Sequence, residues 1–415
     1  MAARDFKPNF YKQFQCVGPE CVDSCCTHWQ ITIDKPTYDH MFYHSKLRSQ
    51  APQAFKRTSR GESYAVIDLD KNQRCPLLDA KGWCRVQQED GLAHLSDTCR
   101  LYPRQALFRG GWLTEHTLLL SCPEVVRMLI EKPRWFTNTR PRLPQSETAA
   151  PGVYHRPSYY AHVQHWLLQL LSAKHRTFED KLYLLWSGYQ RICQYVGQPD
   201  NFRVHLLAIQ QKNYQKQQLL LWKKQQNPER VQLFFYMRCL EVLQSNDFQA
   251  LLKRSPRLSA VLNRVNALLK GSERPLNVLQ QQMALGQPIY LDAIAAKGWF
   301  WKNYLLHRMY AFDFPSTSGN RFLHYFIYEF FYLRTTLILL ASEGKLSDDD
   351  FNAVIQSFHK TLAHRHFEDV VDQIVRDHYQ RTQHRMQPAW LISCQYKTIG
   401  AGQKEAHCAL AALVD

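Results

Sequence analysis

CVGPECVDSCCTHWQITID, residues 16–34, decides how the chain is read. Cys16, Cys21, Cys25 and Cys26 fall within eleven residues, on a stretch turned by Gly18 and Pro19. Thiolates are soft ligands that select zinc, copper(I) and iron–sulfur clusters. Four more follow at Cys75, Cys84, Cys99 and Cys122. Two of these stand directly before proline (Cys75-Pro76 and Cys122-Pro123), a pairing familiar from cluster-binding runs. Eight of the twelve cysteines thus lie in the first 122 residues. Cys193, Cys239, Cys394 and Cys408 are scattered and read as ordinary small apolar side chains.

Redox context makes this clustering informative. The N-terminus, MAARDFKPNFYKQF, carries no apolar run of the kind a secretory leader needs. The most apolar segment, 322–341, is interrupted by His324, Glu329 and Arg334, so it is expected to be a buried helix and not a membrane span. A cytoplasmic protein is expected, in which thiols stay reduced and disulfides are rare. With 415 residues, 45% of them hydrophobic, the chain can bury an ample core without disulfide staples. A metal centre is the reading left. Structural zinc usually shows two Cys-x2–4-Cys knuckles. Here every pair of that form shares Cys21, Cys21-x3-Cys25 among them, so two separate knuckles are not available and an iron–sulfur cluster is favoured. The Cys-x3-Cys-x2-Cys signature of radical S-adenosylmethionine enzymes is absent, because Cys26 follows Cys25 immediately. Neighbouring side chains of a strand point apart. One of Cys25 and Cys26 is therefore spare or serves a second site.

Working outward, the fold class is mainly α, with a loop-rich N-terminal cysteine-cluster metal-binding domain followed by a helical domain. The expected division is 1–131 for the cysteine-rich domain, 132–157 for a Pro-rich connection and 158–415 for the helical domain. Short strands are expected over 29–34 and 64–69, where β-branched residues alternate. Apolar spacing predicts helices over 162–171, 182–195, 204–222, 228–244, 248–270, 303–311, 321–341, 348–363 and 367–382, with 276–284 a further short one. Ser347 before three aspartates is an N-cap signal. The net charge of +16 speaks about partners, not fold. No nucleic-acid motif accompanies it, and the basic stretch 212–224 reads as a solvated helix face. Neither nucleic acid nor membrane is expected as a partner.

The segments CVGPECVDSCCTHWQITID (16–34), CPLLDAKGWCRVQ (75–87), LSDTCRLYPR (95–104) and LLLSCPEVVRMLI (118–130) resemble the bacterial flagellin lysine-N-methylases. Those belong to a wider set whose clustered-cysteine domain is described as zinc- or iron-chelating. The resemblance covers about the first third of the chain. It implies a protein-lysine methyltransferase that uses S-adenosylmethionine, carries a 4Fe–4S cluster on these cysteines and modifies surface lysines of flagellin. Flagellins are generally acidic, which suits a basic enzyme. Arg100, Tyr102 and Arg104 lie inside the motif and are expected at the cosubstrate, where arginine can grip its carboxylate in a bidentate way. Trp29, Trp83, Tyr102 and Trp112 could face a cation. No catalytic residue is assigned. A Rossmann-type glycine turn is missing, since Gly400-x-Gly402 reads as a loop, so the cosubstrate site must be of another kind. The alternative is a non-enzymatic zinc- or iron-binding protein with a helical interaction domain.

Overall fold

The computed structural model describes residues 4–58, 63–109, 113–136, 159–224, 228–270, 275–315, 319–363 and 366–393. Trp112, His364, Cys394, Gly400, Gly402, Cys408 and most of the Pro-rich connection lie outside the described residues. Two compact units result, and neither is continuous in sequence. The first comprises 1–141, 250–259 and 355–361; the second comprises 142–249, 260–354 and 362–415. The division expected from sequence was continuous, with all residues beyond 158 in one domain.

Among the described residues, the first unit holds six short strands: β1 (Arg4–Phe6), β2 (Thr32–Ile33), β3 (Phe55–Arg57), β4 (Ala65–Ile67), β5 (Arg104–Arg109) and β6 (Leu113–Leu118). They form two three-stranded sheets, β1-β6-β5 and β2-β4-β3. β2 and β4 sit within the two stretches read as strands, paired antiparallel with Thr32 opposite Val66. Their inward residues Ile31, Ile33, Ala65 and Ile67 join Met41, Leu47 and Leu77 in one apolar cluster. Asp34 ends the β2 strand and starts the helix Lys35–Tyr43, its carboxylate accepting from the Thr37 backbone N–H at 2.8 Å. The β5–β6 hairpin was not anticipated; β6 also pairs in parallel with β1. Directly after Cys122, Pro123 occupies the first turn of the helix Pro123–Glu131, where its missing N–H costs nothing.

The second unit is helical. Its central helix, Gly319–Ala341, is buried along almost its whole length. Two of the polar residues that interrupt it, Glu329 and Arg334, are bonded inside the unit. Glu329 accepts two bonds from Arg308, both 2.9 Å, and one from the Tyr304 hydroxyl at 2.5 Å. Arg334, fully buried, donates to the carbonyls of Leu391 (2.9 Å), Ile392 (2.5 Å) and Ser393 (2.7 Å). No helix among the described residues is long and apolar enough to cross a membrane.

Several expected helices match closely, among them Pro228–Gln244 and His366–Thr382. Ser347 and Asp350 exchange bonds at the start of Asp348–Thr361, as the N-cap signal implied. Three expectations are corrected. The stretch 204–222 forms two helices, Pro199–Gln210 and Lys212–Lys223, because Gln211 is extended and the buried Gln215 side chain takes up the Ile209 carbonyl at 2.9 Å. The stretch 248–270 likewise breaks into Asn246–Lys253 and Pro256–Leu269, with Pro256 in the first turn of the second helix, where its missing N–H costs nothing. The short helix at 276–284 extends over Pro275–Ala296.

Candidate metal centre

All eight N-terminal cysteines belong to the first unit, and all are free thiols. Cys16, Cys21, Cys25 and Cys26 lie on the loop before β2, and Cys75 and Cys84 on the loop after β4. These two loops are stitched together. Thr27 bridges Arg74, the Cys75 N–H donates to the Cys26 carbonyl at 2.9 Å, and His28 N–H donates to the Gln73 carbonyl at 2.9 Å. Gly18 adopts φ +58° beneath the Trp83 ring. A Cβ there would stand 2.7 Å from Trp83, so this close packing needs glycine. Cys84 caps the helix Arg85–Glu89, and Cys99 sits in the helix Asp97–Leu101, whose N-cap Ser96 accepts from the Cys99 N–H at 3.3 Å. Cys75, Cys84 and Cys99 all pack against the apolar cluster under β2 and β4.

Burial is the main influence on these thiols. It pushes Cys75 and Cys122 up to about 12, Cys99 up to about 11, and raises Cys21 and Cys84. Cys25 and Cys26 lie in a turn, not a strand, and their side chains meet instead of pointing apart. The Cys25 thiol donates to the Cys26 sulfur, which pushes Cys25 well up and draws Cys26 down to about 7. Eight thiols in one unit, all but the exposed Cys16 at least partly buried, are a soft donor set. That chemistry fits a thiolate-bound metal, whose charge would displace the protons that burial retains. Among the described residues, no three His, Cys, Asp or Glu side chains close tightly enough to hold a single ion. A tetrahedral zinc with Zn–S bonds of ~2.3 Å needs its sulfurs about 3.8 Å apart. An iron–sulfur cluster binds each thiolate at its own iron, so its ligands stand further apart.

A polar network that sequence reading missed adjoins Cys21 and Cys122. Asp23 is gripped by Lys360 Nζ on one oxygen and Gln356 Nε2 on the other, both at 2.7 Å. Gln356 also donates to the Ser121 carbonyl at 2.9 Å and accepts from Arg257 at 2.9 Å. Tyr102 donates to Ser121 Oγ at 3.1 Å and packs beside Trp29, ring centres 5.8 Å apart. Burial, then nearby Cys122, raises the Tyr102 hydroxyl strongly, so it stays protonated. Gln356 and Lys360 are one helical turn apart but more than 330 residues from Asp23; only the spacing of two polar residues on a mostly buried helix face hints at a role.

Arg100 and Arg104 enter different surroundings. Arg100, half exposed, pairs with Asp97 within its own short helix. Arg104 lies over the Phe14 ring at 4.9 Å and donates to the Phe14 carbonyl at 3.4 Å.

The model of a known domain, the FliB lysine N-methylase C-terminal domain, matches residues 165–386, just over half of the chain. The chain belongs to the FliB lysine N-methylase family. That places it among lysine-methylating enzymes, against the non-enzymatic alternative. The match falls on the helical part, whereas the motifs that raised the family from sequence lie in the first third. The lysine-N-methylase of Salmonella choleraesuis (strain SC-B67) is 23% identical over 391 residues, spanning 86% of this chain and 91% of that protein. That of Salmonella typhimurium (strain LT2) is 24% identical, with the same coverage. The flagellar biosynthetic protein FliU of Salmonella muenchen is 32% identical over 141 residues, which are 31% of this chain and 77% of FliU. No solved structure matches.

Within this FliB-family chain, the second unit carries a cleft of about 670 Å³. Lys174, His175, Arg176, Lys212, Lys216 and Lys223 line it. Its acid, Asp180, is already paired with Lys223 at 2.9 Å.

Proposed function

We propose that this chain transfers the methyl group of S-adenosylmethionine to lysine side chains of flagellin, with an iron–sulfur cluster held by its N-terminal cysteines. The observation that carries the reading is family membership in a chain whose first unit gathers eight free thiols. The flagellar link of FliU, and its similarity to part of this chain, support flagellin as the substrate.

The reaction balances simply. The substrate ammonium first gives up a proton to solvent water. Its nitrogen lone pair then attacks the sulfonium methyl carbon, the carbon–sulfur bond breaks, and the sulfur keeps that electron pair as a neutral thioether. The product is an N-methyl-lysine ammonium. The chain's own contribution is positioning and charge. Trp29 and the protonated Tyr102 present aromatic faces beside the cysteine loop, and such faces attract a sulfonium or an ammonium. Lys360 and Gln356 hold Asp23, and with it the loop that carries Cys21, Cys25 and Cys26. Bound to the thiolates, a cluster supplies a soft, electron-accepting centre that fixes these loops around it. The lysine-rich cleft of the second unit suits an acidic protein, and its attraction falls as salt screens it.

The test uses anaerobically purified protein. Iron and sulfide are counted, the visible spectrum is recorded, and S-adenosylhomocysteine is measured with and without flagellin. Iron with matching sulfide, a broad thiolate-to-iron band and flagellin-dependent turnover are expected. A colourless, iron-free protein with full turnover would overturn the cluster; a cluster-loaded protein without turnover would overturn the activity.

A further inference from the structure

We infer that the cleft of the second unit docks an acidic stretch of the protein substrate, and holds it there without taking part in methyl transfer. The inference rests on the functional reading above and adds where, and by what chemistry, the substrate protein is held.

The cleft is built before any partner arrives. Its walls are the turn 173–177, which follows the helix Tyr160–Ser172, and the helix Lys212–Lys223. Arg176 on the turn donates to Gln215 Oε1 on the helix at 2.6 Å, and Gln215 Nε2 donates to the Ile209 carbonyl at 2.9 Å. The buried Gln215 thus ties both walls to the preceding helix, Pro199–Gln210. Trp166, Leu170, Leu219 and the half-exposed Leu220 give the cavity an apolar lining. A concave space of about 670 Å³, apolar within and set with a few polar groups, has the character of a binding site.

Charge selects the occupant. Among the described residues, the six basic side chains that line the cleft face one acid, Asp180. That acid is taken by Lys223 at 2.9 Å, and its neighbour Glu179 pairs with Arg334 at 3.5 Å. Lys174, Lys212 and Lys216 are exposed and have no acid partner among the described residues. A cleft lined in this way concentrates anions and repels cations. S-adenosylmethionine carries a sulfonium and an ammonium against one carboxylate, and the lysine to be methylated is itself a cation. Neither reacting group is drawn to this cleft, which makes it a holding site and not the place of the chemistry.

Shape favours a peptide over a compact anion. Lys212, Lys216, Leu219 and Lys223 fall at i, i+4, i+7 and i+11, on one face of their helix. From its first lysine to its last this face rises roughly 16 Å. That is the length of about three helical turns or five extended residues. A single phosphate or carboxylate covers a fraction of the row. A segment with carboxylates spaced along it and an apolar residue between them meets all of it. Single-stranded nucleic acid needs aromatic faces on which its bases stack. The Trp166 ring is buried, and among the described residues no other Trp, Tyr or Phe lines the cleft.

The experiment measures binding of labelled flagellin to the full chain by fluorescence anisotropy, with no S-adenosylmethionine present. Carbodiimide coupling of lysines to carboxylates, read by peptide mass spectrometry, maps the contact. Coupling of Lys174, Lys212 or Lys216 to flagellin aspartates and glutamates is expected. Lys212→Glu with Lys216→Glu should weaken binding on the order of tenfold. Lys270→Glu with Lys345→Glu makes the same change of net charge on exposed lysines outside the cleft and should weaken it far less. No binding, equal weakening by the two pairs, or coupling confined to lysines outside the cleft would overturn the inference. So would an RNA oligonucleotide or anionic vesicles that displace flagellin from the cleft lysines. All four substituted lysines are exposed, and thermal unfolding checks that the variants fold; should one unfold, the coupling map of the unsubstituted chain decides. The outcomes separate from those of the functional reading. Docking in the cleft without methyl transfer would sink the activity alone, and methyl transfer to flagellin without contact at the cleft would sink the docking alone.

Discussion

Gly18 and Trp83 show how single residues hold the cysteine loops. Replacing Gly18 with alanine places a Cβ against Trp83 and forces a non-glycine residue to φ +58°. The left-handed conformation alone costs about 1–2 kcal/mol. Gly18→Ala is therefore expected to lower the denaturation midpoint and the metal content together, measured by chemical denaturation and metal analysis. Arg334 plays the corresponding part in the second unit. Its guanidinium satisfies three backbone carbonyls near residue 392 with no access to water. Arg334→Met strands those acceptors and should cost roughly 3 kcal/mol, as losing a buried charged partner does; thermal unfolding would register it. An unchanged melting temperature would mean that the 388–393 turn does not depend on this contact.

At the scale of elements, the crossing of Pro275–Ala296 with Gly319–Ala341 is set by backbone approach. A Cβ on Gly286 would come within 1.8 Å of the Ile338 carbonyl oxygen. Gly286→Ala must push the two helices apart and is expected to destabilise the chain more than Gly298→Ala, where the nearest atom is 3.9 Å away. Comparing the two denaturation midpoints checks this. Elements whose signals are local were legible in the sequence. Pro228–Gln244 begins at its proline, and β2 and β4 follow from alternating β-branched residues. The breaks at Gln211 and Ser255-Pro256 were less so. The first depends on the Gln215 side chain reaching back to Ile209, a tertiary choice that apolar spacing does not encode. The β5–β6 hairpin escaped because Arg104–Arg109 alternates only weakly in exposure and offers no continuous apolar face. The cysteines themselves were plain from spacing. The polar network beside them was not, because Ser121, Asp23 and Gln356 meet only through the fold.

For the molecule as a whole, acid is expected to weaken the second unit. Burial lowers the His324 and His378 imidazoles below their ordinary 6.5. Each is then neutral in the folded chain at a pH where the unfolded chain already takes up a proton. Stability from this source is complete above about 6.5 and is lost as pH falls from there through the lowered values of the folded chain. Denaturation midpoints should hold steady above about pH 6.5 and drop below it, and His324→Gln should flatten that slope. The net charge of +16 predicts in turn that flagellin modification slows as salt rises, with turnover on a short neutral lysine peptide much less affected. The most direct test of the central claim is peptide mass spectrometry of flagellin after incubation with the anaerobically purified chain and S-adenosylmethionine carrying a labelled methyl group. The account predicts labelled N-methyl-lysine on flagellin peptides. Unlabelled flagellin, recovered from a reaction with protein that holds its full complement of metal, would contradict it.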